Sequence, residues 1–295
     1  MAKIAERPIA SGEGWSIADV VCSLGPNDRP FEERHDHVSI AIVTDGSFQY
    51  RGSGAGSGRE LMTPGSLLLG SPGQFFECGH EHAHGDRCLA FRYSPPYFSS
   101  ITDGVARRYG DRFESLRLPP MRELSSVVAR ACAARDTSAP GAVMVWEELA
   151  VRLAAQAVRA DCRRTPSRSA ISPAALARVT GAVRFIEQNA DEALRLSTLA
   201  KAAGLSPFHF LRTFEDLTGT SPHQYVMRMR LRRAASRLLA EPAKILDIVL
   251  DSGFGDLSNF NRAFRTEFGT SPRAYRRETR SFKRPDRRGV AIEGD

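Results

Sequence analysis

The C-terminal part of the chain contains an internal repeat. FLRTFEDLTGTSPHQY (Phe210 to Tyr225) aligns with FNRAFRTEFGTSPRAY (Phe260 to Tyr275), an offset of 50 residues. The identical residues are Phe210/Phe260, Arg212/Arg262, Phe214/Phe264, the Gly-Thr-Ser-Pro blocks and Tyr225/Tyr275. Two copies are too few for a solenoid, which needs several stacked repeats to bury its core. The repeat therefore predicts a duplicated supersecondary unit.

Each copy has the pattern of a helix, a tight turn and a second helix. In the first copy, Ser197 is expected to cap a helix that stops at Gly204. Ser206 is then expected to cap a helix that opens with Pro207 and ends at Gly219.

The second copy repeats this arrangement, with a short helix that stops at Gly253 and a longer one capped by Asp256 and ending at Gly269. Two short helices joined by a glycine-containing turn are the signature of a helix-turn-helix. We therefore expect an all-α C-terminal domain with two of these motifs.

The second helix of each copy can be oriented from its apolar residues. At 100° per residue, Phe210, Phe214 and Leu217 cluster on one face, as do their counterparts in the second copy. The opposite face carries Phe208, Arg212 and Glu215 in the first copy. In the second copy it carries Ser258, Arg262 and Arg265, flanked by Asn259 and Asn261. Arginine and asparagine suit guanine and adenine edges in the major groove. The alternative is a solvated basic face, and arginine at the same place in both copies favours DNA binding.

A single helix is predicted between the copies, from Pro222 to Ala240, and it carries five arginines. Its span of about 27 Å at 1.5 Å per residue suits recognition helices held roughly one DNA turn apart. We expect its arginines to contact phosphates or solvent rather than bases.

The charge distribution agrees with this division of the chain. The formal net charge of +7 falls wholly in residues 171–295, because the preceding residues carry equal numbers of basic and acidic side chains. A neutral part joined to a basic part indicates a polyanionic partner for the basic part alone.

The N-terminal part has the pattern of short strands separated by turns. Val38 to Arg51 predicts a hairpin around Asp45-Gly46. The glycine-rich stretch from Arg51 to Glu60 lacks the Gly-Lys-Ser/Thr of a phosphate loop and is expected to be a hairpin loop. The segments 61–78 and 87–94 give further strands. These strands predict a small β-barrel or sandwich, and an α+β multidomain protein overall.

These patterns divide the chain into five parts. Residues 1–95 form the β domain, and residues 96–161 a helical subdomain that could dimerise. Residues 162–173 are polar, basic and proline-containing, as in a linker. The DNA-binding domain is expected at 174–278 and a disordered tail at 279–295.

Composition excludes other classes of protein. No apolar run approaches the length of a membrane span, and the first residues lack the apolar segment of a secretory signal. Five cysteines do not make a disulfide scaffold. We expect a cytoplasmic protein without a membrane partner.

The stretch from Arg178 to Arg277 resembles the DNA-binding domain of AraC/XylS-type transcription regulators. The resemblance rests on LAKAAGLSPFHFLRTFEDLTGTSP, on the arginine-rich helix, and on ILDIVLDSGFGDLSNFNRAFRTEFGTSPRAYR. It implies a sequence-specific, non-enzymatic regulator that binds promoter double-stranded DNA, and RNA polymerase if it is an activator. The DNA contacts it implies are Phe208, His209, Leu211, Arg212, Ser258, Asn259 and Arg262.

The N-terminal part resembles the cupin-like effector domain of the same family, around RHDHVSIAIVTDGSFQYR. This resemblance implies a cupin-like β-barrel that senses a small molecule or a metal and is coupled to the DNA-binding domain. A homodimer is a further expectation, through the apolar helix AVMVWEELAVRLAAQAVRA.

A catalytic cupin was the main alternative. His35 and His37 match the opening pair of its metal ligands, but the later glutamate and the histidine after Pro72-Gly73 are absent. A cysteine-dependent repair protein finds no nucleophile motif to support it. A non-specific interaction module does not explain the repeated outward arginines.

The loop CGHEHAHGDRC keeps three interpretations open. Its thiolate and imidazole donors suit zinc or another transition metal. A reversible disulfide between its two cysteines is a second interpretation, and buried cysteines beside a solvated histidine loop are a third. The candidate metal ligands are Cys78, His80, His82, His84 and Cys88.

Overall fold

The computed structural model describes residues 4–53, 58–81, 84–103, 105, 112–135, 142–163 and 172–282. Helices in these ranges are too short or too polar to cross a membrane. The strands are β1 (Ile4–Gly12), β2 (Trp15–Cys22), β3 (Phe31–Arg34), β4 (Val38–Gly46), β5 (Phe48–Gly52), β6 (Arg59–Met62), β7 (Leu67–Gly70), β8 (Phe75–Gly79), β9 (Asp86–Tyr93) and β10 (Arg117–Leu118).

The strands form two antiparallel sheets. One has the order β1-β2-β9-β4-β7-β10 and the other the order β3-β8-β5-β6. Apolar side chains from both sheets meet between them, Val43 and Leu68 from the first and Tyr50 and Met62 from the second. Strand pairing among the described residues does not join the two sheets into a closed barrel.

The predicted hairpin around Asp45-Gly46 is wrong. β4 pairs with β7 and β9, whereas β5 pairs with β6 and β8, so the chain crosses from one sheet to the other here. Gly46 has φ +72°, and a Cβ at this position would lie 2.4 Å from the Gly85 carbonyl oxygen. Glycine is therefore needed at position 46 because the chain passes close to the start of β9, and not because it makes a two-residue hairpin turn there.

Other strand predictions are confirmed. The glycine-rich stretch joins β5 to β6, which pair antiparallel as a hairpin; its residues 54–57 lie outside the described residues. Pro64-Gly65 and Pro72-Gly73 separate β6, β7 and β8 as expected. The strand predicted at 87–94 is β9.

Three helices follow the sheets: α1 (Pro95–Thr102), α2 (Arg122–Arg135) and α3 (Ala142–Asp161). Their apolar sides pack on the six-stranded sheet, where Phe91 contacts Trp146 with ring centroids 6.2 Å apart. The Tyr93 hydroxyl donates to the Ala150 carbonyl oxygen at 2.9 Å. This packing forms one core from the sheet and helices α1–α3.

The C-terminal part is helical, as expected. Its helices are α4 (Pro173–Gln188), α5 (Leu196–Ala202), α6 (Pro207–Thr218), α7 (Pro222–Ala240), α8 (Ile245–Asp251), α9 (Leu257–Phe268) and α10 (Pro272–Phe282). The expected linker lies mostly outside the described residues, which resume at 172.

Two boundary predictions are wrong. Helix α5 begins two residues earlier than expected, with Arg195 as its N-cap, so Ser197 lies inside the helix and does not cap it. Helix α10 continues to Phe282, so residues 279–282 of the expected tail are helical. Residues 283–295 lie outside the described residues.

The N-terminal part packs against the helix-turn-helix part. Helix α2 lies along α7 and also contacts α9, and its Ala129 belongs to the same buried cluster as Leu231, Ala234 and Phe264. Leu61 of β6 is buried with the side chains of the first helix-turn-helix. The two expected domains therefore share buried surface.

Candidate nucleic-acid interface

Helix α6 has both of the end signals that the sequence predicts. The Ser206 hydroxyl oxygen accepts a hydrogen bond from the His209 backbone N–H at 3.4 Å, and Pro207 occupies the first turn. At the other end, Gly219 has φ +75°. These residues define where the helix begins and ends.

Helix α9 repeats this construction with a carboxylate cap. An oxygen of Asp256 accepts the Asn259 backbone N–H at 2.7 Å, and Gly269 ends the helix with φ +74°. The hydrogen bond from that backbone N–H lowers the pKa of the Asp256 carboxyl. The cap therefore stays ionised at neutral pH beside the positive end of the helix dipole.

The apolar faces of α6 and α9 are buried as predicted. Phe210 and Phe214 of α6, and Phe260 and Phe264 of α9, are fully buried. Phe214 packs edge-on against Tyr225, and Phe264 packs the same way against Tyr275, with ring centroids 5.6 and 5.4 Å apart. The repeated residues thus build two equivalent cores, and each core fixes which side of its helix faces outward.

The outward faces carry the predicted DNA contacts. The exposed members are Phe208, His209, Arg212, Ser258, Asn259 and Arg262. Leu211 is half-buried. Phe208 has 70% of its surface exposed, although burying an aromatic ring is favourable in water. The predicted orientation of both helices is confirmed, and contact with DNA stays a prediction.

Three polar residues of α9 form a hydrogen-bonded chain that sequence reasoning missed. The Asn259 side-chain amide donates to Asp256 Oδ2 at 2.6 Å, and its Oδ1 accepts from Arg262 Nη2 at 2.6 Å. The i, i+3 spacing of these residues could have indicated it, because such side chains are neighbours on a helix. These hydrogen bonds orient the side chains of Asn259 and Arg262, two of the predicted base contacts, in the absence of DNA.

The prediction that the arginines of α7 contact phosphates or solvent needs a partial correction. Arg230 donates to the carbonyl oxygens of Ala190, Gly253 and Glu192. Arg232 donates to the Pro64 carbonyl oxygen of the N-terminal part at 3.0 Å. The other three, Arg228, Arg233 and Arg237, also donate to protein groups. The bonds of Arg228, Arg230 and Arg232 join α7 to loops and to the N-terminal part. Arg233 is exposed, as expected. Contact of these arginines with phosphates stays a prediction.

The candidate metal ligands of the N-terminal part are not all brought together. Cys78, His80 and Cys88 are buried, and both cysteines are free thiols. His84 is exposed, and His82 lies outside the described residues. The group of donor atoms that the structure places within 4.8 Å of one another comes from Cys22, His80 and Asp86. Cys22 and Asp86 are not among the metal ligands predicted from the sequence.

His35 and His37 are placed away from that group. The His35 ring stacks on Phe76 at 4.3 Å, and its Nε2 lies 2.7 Å from the Tyr50 hydroxyl. Burial lowers the pKa of His35 to about 4, which keeps the ring neutral at pH 7. His37 is exposed. Neither belongs to the close donor group found in the described residues.

Sequence comparison with known proteins supports the helix-turn-helix assignment of the C-terminal part. Residues 199–278 match the model of a helix-turn-helix domain family. The chain is 35% identical over 256 residues to the transcriptional activator NphR of a Rhodococcus species, covering 81% of this chain and 69% of NphR.

Two further similarities cover about a third of this chain. The chain is 36% identical over 95 residues to the transcriptional regulator Rob of Salmonella typhimurium, covering 32% of this chain and 33% of Rob. It therefore spans about a third of Rob's length. A crystal structure of an AraC-type transcriptional regulator from Chromobacterium violaceum is 31% identical, with a TM-score of 0.33, covering 35% of this chain and 91% of that one.

The repeated helix-turn-helix motifs lie within the matched residues, and the similarity to NphR extends across most of both chains. The chain belongs to the AraC/XylS family of DNA-binding transcription regulators.

Proposed function

We propose that this protein reads a specific promoter sequence by placing α6 and α9 in successive major grooves of one duplex. The observation that carries the proposal is the exposed Arg212 of α6 and the exposed Arg262 of α9, each at the same place in its repeat. A guanidinium can bond to two acceptors of one guanine at once. Two such helices read two half-sites about one DNA turn apart.

The neighbouring side chains supply further contacts in this proposal. Asn259 suits an adenine edge, and the exposed ring of Phe208 suits a thymine methyl group. His209 and Ser258 lie in the first turns of their helices, which is the part of a recognition helix that contacts base edges. Leu211 is half-buried and contributes apolar contact.

Helix α7 sets the distance between the two reading helices. It is 19 residues long, about 27 Å from its first to its last residue at 1.5 Å per residue. The bonds of Arg230 to the carbonyl oxygens of Ala190 and Gly253 join both motifs to this helix. A fixed spacing favours DNA with correctly spaced half-sites over DNA with other spacings.

The N-terminal part acts as the sensing domain in this proposal, with a cupin-like role for its two sheets. Its support is the shared buried surface between α2 and helices α7 and α9. A small molecule or metal that moved the sheets relative to α2 would change how the two motifs are held. The protein would then couple an effector to DNA affinity.

The partners beyond DNA follow from the same family. NphR is a transcriptional activator, and activation by this chain would require contact with RNA polymerase. A homodimer is supported by exposed apolar side chains on α3, where Val143 and Met144 have 54% and 77% of their surface exposed. Sedimentation velocity of the full chain, compared with a Met144→Glu variant, tests the dimer.

The reading function is tested by selecting binding sites from random duplex DNA with the full chain, followed by footprinting on the selected site. We expect two half-sites one helical turn apart. Arg212→Ala and Arg262→Ala should each relax the choice of base at one position, at a cost of roughly 1–3 kcal/mol on the selected site.

Arg265→Ala is the matched control, because it removes the same charge from the exposed last turn of α9. It should weaken binding to selected and random DNA equally, and it should reduce the salt dependence. If Arg262→Ala behaved in this same uniform way, the base-reading role would be wrong.

A further inference from the structure

The close donor group in the N-terminal part is assembled from three strands. Cys22 ends β2 and is the direct cross-strand partner of Asp86, which begins β9. Cys88 lies two residues further along β9, so it shares a sheet face with Asp86. His80 follows β8 of the other sheet. The two sheets therefore bring sulfur, carboxylate and imidazole donors together at one end of their interface.

The atoms are close enough for a shared ligand. The donor atoms of Cys22, His80 and Asp86 lie within 4.8 Å of one another. His80 Nε2 is 2.6 Å from Asp86 Oδ2, and the Cys88 thiol donates to Asp86 Oδ1 at 3.4 Å. In a tetrahedral site, ligand atoms at about 2.0–2.3 Å from one zinc ion are about 3.3–3.8 Å apart. The donors of Cys22, His80 and Asp86 would therefore draw together by up to about 1.5 Å when the ion binds. Cys88 is not part of that close group, so its thiol would have to move further to reach the ion.

The group is also buried, and one of its atoms has no partner. His80 is 3% exposed, and Cys22 and Cys88 are each 7% exposed. His80 Nδ1 is buried without a hydrogen-bond partner among the described residues. An unpaired buried polar atom costs about 1–3 kcal/mol. A ligand bound at His80 Nδ1 would satisfy this atom. Alternatively, the imidazole ring could flip so that Nδ1 and Nε2 exchange places.

We propose that Cys22, His80, Asp86 and Cys88 bind a divalent transition-metal ion, with Zn²⁺ as the preferred ion. Two thiolates, one imidazole and one carboxylate are four donors of the kinds that complete a tetrahedral zinc site. The two thiols lose their protons to solvent as the ion binds, and so does the His80 ring where its pairing with Asp86 keeps it protonated.

This ligand set differs from the one suggested by the loop sequence. It keeps His80 and Cys88, and it replaces Cys78, His82 and His84 with Cys22 and Asp86. Register explains the difference, because Cys22 reaches the site only through its pairing with β9.

The site lies where a bound ion would join the two sheets. Cys22, Asp86 and Cys88 belong to the six-stranded sheet, and His80 follows the four-stranded one. An ion held by all four residues cross-links the sheets at the connection between β8 and β9. This position is in the N-terminal part and not on the DNA-reading helices, so metal binding can be measured independently of DNA binding.

The experiment measures zinc bound by the purified full chain after dialysis against buffered Zn²⁺, by elemental analysis. The same samples are loaded with Co²⁺, whose absorption spectrum reports thiolate ligands and tetrahedral geometry. The variants are Cys22→Ser, His80→Gln and Cys88→Ser. Cys162→Ser is the matched control, because Cys162 is an exposed free thiol. Circular dichroism of each apo variant checks that it folds.

We expect one zinc per wild-type chain and a Co²⁺ spectrum with thiolate charge-transfer bands. Each site variant should bind zinc at least roughly tenfold more weakly, by comparison with the 10–100-fold effect of outer-shell changes, and Cys162→Ser should match wild type. A wild-type chain that binds no zinc overturns the proposal. It is also overturned if Cys78→Ser and His84→Ala abolish binding while Cys22→Ser retains it. If a site variant does not fold, the wild-type Co²⁺ spectrum alone decides whether thiolates bind the ion.

Discussion

The Arg117 guanidinium of β10 donates to the Thr218 carbonyl oxygen at 3.2 Å, at the last residue of the first recognition helix. It also donates to the Leu217 carbonyl oxygen at 3.0 Å. A third bond, from its Nε to Glu60 at 2.8 Å, holds the side chain in place. One buried arginine of the N-terminal part therefore satisfies the free carbonyls at the end of α6 and opposes the negative end of its dipole.

Replacing Arg117 by Ala should lower the free energy of unfolding by about 1–3 kcal/mol, because it leaves the buried carbonyl oxygens of Leu217 and Thr218 without their donor. Urea denaturation of the full chain measures the loss. Arg92→Ala is the control, since Arg92 pairs with Glu6 on the surface and exposed pairs contribute about 0–1 kcal/mol. Equal losses in the two variants would contradict the role given to Arg117.

The glycines that end the two recognition helices offer a second test of the contact between the two parts. Gly219 and Gly269 have the same left-handed backbone, with φ +75° and +74°. Alanine at either position should cost about 1–2 kcal/mol through backbone strain. A Cβ on Gly219 would also lie 2.8 Å from Pro119 Cβ, whereas a Cβ on Gly269 would meet nothing within 4 Å.

We therefore expect Gly219→Ala to lower the thermal unfolding temperature of the full chain more than Gly269→Ala does. The difference between the unfolding temperatures of the two variants measures the packing of Pro119 against the end of α6. Should Gly269→Ala prove as destabilising as Gly219→Ala, the contact with Pro119 has no energetic weight.

The cap of α9 connects helix stability to DNA reading. Asp256→Ala removes the hydrogen bond to the Asn259 backbone and also the bond that orients the Asn259 side chain. Loss of the cap should cost about 1 kcal/mol in stability. We also expect weaker binding to the selected DNA site, because Asn259 and Arg262 lose their shared orientation.

Ser206→Ala is the matched variant for that experiment. It removes the equivalent cap of α6, where the serine also contacts the His209 ring. Both variants should lose similar stability in urea titrations. Only Asp256→Ala should change the base preference in the half-site assigned to α9. If Asp256→Ala instead changed the base preference in the half-site assigned to α6, the assignment of the half-sites would be wrong.

Acid stability should depend on Asp19. Hydrogen bonds from Arg87 lower the pKa of the Asp19 carboxyl to about 2, against 3.8 for an ordinary aspartate, and a bond from Arg7 adds to the effect. Because the folded state holds the carboxylate more strongly than the unfolded state does, this stabilisation is complete above about pH 4. It is lost as the pH falls from there toward 2.

Asp19→Asn should therefore destabilise the protein at pH 7, by about 1–3 kcal/mol if the lost bonds to the guanidinium have their usual value. The difference between variant and wild type should shrink as the pH approaches 2. Urea denaturation at a series of pH values measures both effects. A difference that is constant from pH 7 to pH 2 would show that titration of Asp19 is not the cause.

The recognition helices could be predicted closely from the sequence. Ser206, Asp256, Gly219 and Gly269 act through the backbone of their own helix, so their effects are local. The repeated phenylalanines also fix the outward face, because a helix can bury only one side here. The predicted cap at Ser197 is wrong, because α5 begins after Arg195, whose side chain makes no capping hydrogen bond that the local sequence could have signalled.

The roles of the charged residues could not be predicted in this way. The arginines of α7 have a basic helical pattern that is typical of phosphate contact, yet Arg230 and Arg232 donate to carbonyl groups distant in the sequence. Likewise, Asp45-Gly46 has the local pattern of a hairpin, and only the pairing of β4 with β9 shows that the chain changes sheets.

By itself, the sequence determined the duplicated helix-turn-helix, the ends of its recognition helices and the side chains that these helices expose. These depend on periodicity and on contacts a few residues apart, which amino-acid order specifies directly. Only the tertiary structure decided that Arg117 reaches Thr218, that α2 packs on α7, and that Cys22 meets His80 and Asp86. Each of these depends on strand register or domain packing, where residues far apart in the chain meet only after the whole core has formed.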